Sequence, residues 1–222
     1  MSLFKINKEE VKAANSGSSF MGSSGIYDAV IKFASVEQSS KSEAVSVNFN
    51  FEYNGNEQVV YGPFIKDKTG KDSKIGLNTI MALGVIAGMQ DGEEPNIEEE
   101  EYPVGKDKEV KSFAVITQFS GLPVKVRLQE EYSKYNGEIT KKMVIKDFFR
   151  EDGASASEII NATEIGKRLA LVAEKYASNV TYTDCTAEEV EAWKATKKSD
   201  TKAATTPAPK TTGARPSFIK NK

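Results

Sequence analysis

The sequence predicts a mainly β protein with helices: a small, closed or nearly closed antiparallel β-barrel in the α+β class, carrying a disordered C-terminal tail. Three observations predict it. Val45, Val47, Phe49, Phe51 and Tyr53 alternate with Ser46, Asn48, Asn50 and Glu52, the period of a strand with one buried face. Hairpin turns are signalled by Asn54-Gly55 and by Tyr135-Asn136-Gly137-Glu138. From Lys197 onward Thr, Ala, Pro, Lys and Ser dominate, a composition that cannot bury a core. The chain therefore divides into a flexible lead-in (1–25), a barrel domain with C-terminal helices (26–196) and a disordered basic tail (197–222).

The elements follow in order. Lys8 to Ala14 has the pattern of a short helix, and the Gly/Ser-rich segment 15–25 that of a flexible lead-in. Ile26–Val36 is a strand, then Val45–Tyr53, with Gln58–Ile65 as its hairpin partner. Ile75–Gln90 switches to helical spacing, with Leu77, Ile80, Met81 and Leu83 on one side. Gly84 and Gly88 weigh against it, each by about 1 kcal/mol relative to alanine. Asp91–Glu101 holds seven carboxylates and no Lys or Arg, the composition of an exposed loop. Glu109–Phe119, Pro123–Tyr132 and Ile139–Phe149 are three more strands. Ser155-Ala-Ser-Glu158 is a capping box opening a helix over Ile159–Tyr176. A short helix at Ala187–Ala195 carries Trp193. An oligonucleotide-binding (OB) fold places a helix between its third and fourth strands, as this order does; a sandwich or an α+β layer fits the same pattern.

Composition excludes several chemistries. The chain has 222 residues, no histidine and a single cysteine, Cys185. It lacks the commonest general base and metal ligand, a disulfide framework and a Cys-rich zinc site. Cys185 has no histidine to activate it, so it is expected to be an inert thiol. Gly62, Gly70 and Gly76 lack the Gly-Lys-Ser/Thr spacing of a phosphate-binding loop. Glu98–Glu101 are consecutive on one segment, whereas metal-assisted phosphoryl transfer needs acids converging from separate elements. No catalytic residue, metal or cofactor is expected. The start of the chain has no secretory pattern, and Ile75–Met89 is too short and too polar to span a bilayer. A soluble intracellular protein is expected.

Charge is unevenly placed. The net charge is −2, but residues 197–222 carry +6, so residues 1–196 carry −8. Between Pro103 and Arg150 ten Lys or Arg face six acids, and Phe113, Phe119, Tyr132, Tyr135, Phe148 and Phe149 interleave with them. Single-stranded nucleic acid needs both components: cations for phosphates, and aromatic faces for bases. Strand alternation points Lys125 and Arg127 outward together. It also puts Lys142, Lys146 and Phe148 on one face, as a stacking platform requires. Tyr61, Phe64, Lys66, Lys68 and Lys71 form a second cluster near a turn. These residues and Tyr135 are the candidate nucleic-acid contacts. The same pattern also fits solvated charges outside and core aromatics inside. Phe218 and Ile219 end the tail between cations (Arg215, Lys220, Lys222), the form of a partner-docking tip.

The arrangement resembles bacteriophage single-stranded-DNA-binding proteins of the OB type. The resemblance lies in Ser24-Gly-Ile-Tyr-Asp-Ala-Val-Ile-Lys32, in Val45–Tyr53, in Ile75-Gly-Leu-Asn78 and in Pro103-Val-Gly-Lys106, within residues 24–150. It implies non-catalytic coating of single-stranded DNA in phage replication, recombination or repair, in the cytoplasm of the infected bacterial host. It also implies a C-terminal tail that recruits replication or recombination proteins. Such tails usually end acidic with a terminal Phe; here the end is Arg-Pro-Ser-Phe-Ile-Lys-Asn-Lys. A basic tail suits DNA itself or an acidic surface on a host protein such as RNA polymerase. The second option would make the chain a protein–protein adaptor or transcription accessory factor.

Overall fold

In the computed structural model, residues 20–203 are described except Lys106, with side chains through Lys197. The proposed helix at Lys8–Ala14, most of the lead-in, and Arg215, Phe218, Ile219, Lys220 and Lys222 lie outside the described residues.

The chain is mainly β, and its sheet curls into a half-barrel. Among the described residues, nine strands contribute: β1 (Gly25–Gln38), β2 (Val45–Tyr53), β3 (Asn56–Val60), β4 (Phe64–Lys66), β5 (Ile97–Val104), β6 (Glu109–Ile116), β7 (Leu122–Tyr135), β8 (Glu138–Arg150) and β9 (Val180–Thr183). Four helices among the described residues accompany them: α1 (Lys74–Ile86), α2 (Ala156–Asn161), α3 (Lys167–Lys175) and α4 (Ala187–Ala203). The long strand β1 organises the sheet. It pairs with β2 along Val30–Gln38, with β7 along Gly25–Ile31, and with β6 at Ser35. β3 continues from β2, β8 from β7, and β5 from β6. Among the described residues no ladder joins β3 to β8. The two strands approach each other across an open cleft, so the curl stops short of the closed barrel.

The β2–β3 hairpin turns at Asn54 (φ 49°) and Gly55 (φ 75°), both in the left-handed region that this two-residue turn demands. The alternating face of β2 buries Val47, Phe49 and Phe51 against Ile31, Val126, Leu128 and Phe148, and α1 closes the core with Leu83 and Ile86. Phe33 points to the opposite face. There it stacks on Tyr102 at 4.1 Å and meets Phe113 at 5.0 Å, which seats the β5–β6 hairpin on the sheet. No helix among the described residues is long and apolar enough to cross a membrane.

Several elements differ from their sequence expectation. The acidic loop Asp91–Glu101 is half strand: Ile97–Val104 is β5, paired residue for residue with β6. Its glutamates line an edge strand, where charge discourages further edge pairing. The expected strand Gln58–Ile65 is two strands, broken at Gly62-Pro63, because Gly62 adopts φ +85° and Pro63 has no N–H to donate. The helix over Ile75–Gln90 stops at Ile86, with Gly88 in the left-handed conformation just beyond. Met81, assigned to its apolar side, is exposed. The strand Glu109–Phe119 ends at Ile116 in a 3-10 turn. The helix over Ile159–Tyr176 is two helices, separated by left-handed Ala162 and Gly166. The capping box is present: Glu158 bonds back to Ser155, and its second oxygen accepts the Arg168 N–H at 2.8 Å, clasping α2 to α3. α4 runs past Ala195 to Ala203. β9, parallel to the end of β7, has no counterpart in the sequence expectation.

Candidate nucleic-acid interface

The segment after β3 is shaped by polar tethers. Asn48 on β2 is buried, and its Oδ1 accepts the Gly62 N–H at 2.9 Å. This bond turns the chain so that Tyr61 (74% exposed) and Phe64 (57% exposed) stand in solvent. Ser73 then caps the start of α1, its side chain accepting the Gly76 N–H. Gly76 lies against the Phe64 carbonyl so closely that a Cβ there would sit 1.8 Å from the oxygen. The absent side chain is what lets α1 dock beside Phe64.

Across the gap runs β8. A cleft of about 620 Å³ lies between β3 with the Tyr61–Phe64 turn on one side and residues 141–146 on the other. Tyr61 and Phe64 share it with Lys141, Lys142 and Lys146, and Ile75 and Thr79 of α1 form its end. Two clusters far apart in the chain thus meet: the aromatic turn and the lysines of β8. Their charges are partly compensated. Glu131, on β7, lies 3.1 Å from the Lys142 ammonium and 2.8 Å from that of Lys146. Burial pushes its carboxyl up, but the hydrogen bonds from Lys146 and Lys142 outweigh burial and hold it below the usual carboxylate range. Lys141 pairs with Glu130 at 2.6 Å and also donates to the Gly22 carbonyl. The Glu130 carboxyl is likewise pushed up by burial yet held net low by Lys141 and Tyr132.

The remaining candidates are distributed as follows. Lys66, Lys68 and Lys71 are exposed on and beside the loop at the end of β4, outside the cleft walls. Asp67 braces that loop by accepting from the Thr69 hydroxyl and N–H and from the Lys71 N–H, which lowers its carboxyl. Tyr135 is 77% exposed at the tip of the β7–β8 hairpin, away from the cleft. Lys125 is ion-paired with Asp28. Arg127 bonds Asp147 at 2.6 Å and reaches the Tyr176 carbonyl, so the shared outward face of these two is occupied by protein partners.

Phe148 is the clear correction. It is 4% exposed in the core, 5.2 Å from Phe49, and not on the lysine face. The β7–β8 register shifts between Arg127 and Leu128, which pair with Asp147 and Ile145 and leave Lys146 as an extra residue. One inserted residue reverses which side chains face inward beyond it. Among the cleft residues that the sequence did not single out as contacts are Ile75 and Lys141. Ile75 has a legible signal, since Ile75, Asn78, Thr79 and Ala82 follow helical spacing along one face of α1. Among the described residues no group of three or more Cys, Asp or Glu side chains is placed to hold a metal ion. No protein family matches the chain, and no curated protein matches it in sequence.

Proposed function

We propose that the chain binds single-stranded DNA without catalysis, in the cleft between β3 and β8. One observation carries this reading: exposed Tyr61 and Phe64 share a cleft with Lys142 and Lys146. Aromatic faces stack bases of any sequence at about 1–3 kcal/mol each, while ammonium groups neutralise phosphates. A cleft with exposed aromatics suits a flexible strand whose bases are free to stack, whereas a duplex keeps its bases stacked inside.

The architecture supports an OB-like barrel. β1, β2, β3, β7 and β8 supply five strands with α1 between the third and fourth, and the β5–β6 hairpin is an insertion after α1. The resemblance to phage proteins extends the proposal to DNA replication, recombination or repair, with the tail around Arg215, Phe218 and Ile219 recruiting partners.

The test is fluorescence anisotropy of labelled oligothymidylate with the full chain. Affinity is expected to fall linearly with salt on a log–log scale. The double variant Y61A/F64A should lose affinity while keeping its salt slope, because stacking and not charge is removed. No binding at low salt overturns the reading.

A further inference from the structure

A second cleft, of about 430 Å³, opens between α1, the end of β8 and the start of α2. It shares Ile75, Thr79 and Lys146 with the first, so the two adjoin along one surface. Ile75 stands between them, 83% exposed, an unusual position for a large apolar side chain unless something covers it. Asn78, exposed one turn further along α1, lines the second cleft and offers both donors and acceptors.

Arg168 stands at the far wall. Among the described residues that line the cleft, the acid beside it is Asp147, 3.7 Å away. Asp147 is already held by Arg127 at 2.6 Å, in a pair where the Arg127 side chain is 12% exposed. The Arg168 side chain is 46% exposed and loosely engaged. A carboxylate satisfied by one guanidinium leaves the second in electrostatic surplus, and a long, solvated ion pair holds it weakly. The second cleft therefore ends in an available guanidinium, whose planar fork suits a phosphate.

Resting on the single-stranded-DNA reading of the first cleft, we infer that the bound strand does not stop at Lys146. It crosses Ile75, passes Asn78, and delivers a phosphate to Arg168. Arg168 is then a DNA contact of the distal track only. A short strand anchored on Tyr61 and Phe64 does not reach it, and a longer one does.

The experiment compares R168A with the unaltered full chain on oligothymidylates of about 5 and about 15 nucleotides, which span the usual single-domain site sizes. The substitution leaves the α2–α3 clasp intact, because Glu158 is bonded by the Arg168 main-chain N–H and not by its side chain. Matching thermal melts confirm that the variant is folded. Affinity for the long oligonucleotide should fall roughly fivefold and its salt slope by about 1, with the short one unchanged. R168K should recover most of the loss. Equal loss on both lengths, or none on the long one, overturns the inference and leaves the proposed function standing. Failure of the unaltered chain to bind either length overturns the proposed function, and this inference with it.

Discussion

Glu131 sits opposite Lys142 in the β7–β8 ladder and also bonds Lys146, so one carboxylate positions two cleft lysines and offsets part of their charge. On the proposed single-stranded-DNA reading, a phosphate entering the cleft competes with it. In E131Q the amide oxygen still accepts a hydrogen bond while the negative charge is gone. The variant should bind oligothymidylate more tightly at neutral pH, by roughly three- to tenfold. Its stability should change in the opposite sense. The folded carboxyl is held below its usual range, so the group contributes stability above that range and loses it as pH falls through the lowered value. E131Q should therefore melt below the unaltered chain at neutral pH, and the gap should close on acidification. Thermal melts across a pH series check this, and a gap that widens toward low pH would refute the assignment of Lys146 and Lys142 as the cause.

At the scale of elements, the packing of α1 on β4 fixes where Phe64 stands. Gly→Ala inside a helix ordinarily stabilises by up to about 1 kcal/mol. At Gly76 the new Cβ would meet the Phe64 carbonyl, which is backbone and cannot rotate aside. G76A should destabilise by about 2–3 kcal/mol in denaturant unfolding and weaken oligonucleotide binding as Phe64 is displaced. A stabilised variant would show that α1 is not seated on β4 in this way. The local features were legible: β2 by alternation, two hairpins by their Asn-Gly turns, and α2 by its capping box. Each is decided within a few residues. β5 was hidden because one face of this edge strand is solvated, and four glutamates mask its pairing with β6. The location of Phe148 depended on the bulge at Lys146, which exists only in the ladder with β7. β9 is four residues long and owes its strand form to β7. The site follows the same division. Its aromatic and basic clusters are visible residue by residue, but their meeting across one cleft is a product of how the sheet curls.

If the chain binds single-stranded DNA as proposed, an acidic body must attract a polyanion, since residues 1–196 carry −8. Much of that charge is gathered in Asp91–Glu101, exposed along the turn before β5 and the β5 edge, and none of those residues lines the β3–β8 cleft. The ribbon should act on DNA through its field and not by contact. Such a field slows approach at low salt and is screened within about 10 Å at 0.1 M ionic strength. The triple variant E98Q/E99Q/E101Q removes three charges yet retains acceptors for the Asn96 amide and the Ser112 hydroxyl, so the β5–β6 hairpin should persist. Stopped-flow association with oligothymidylate should accelerate roughly two- to tenfold at low salt, and the difference should vanish as salt rises. Dissociation should be unchanged, because no contact in the cleft is touched. A variant that altered dissociation alone would place the ribbon in the bound interface. The DNA path would then run over β5 and β6, and the cleft between β3 and β8 would be only part of it.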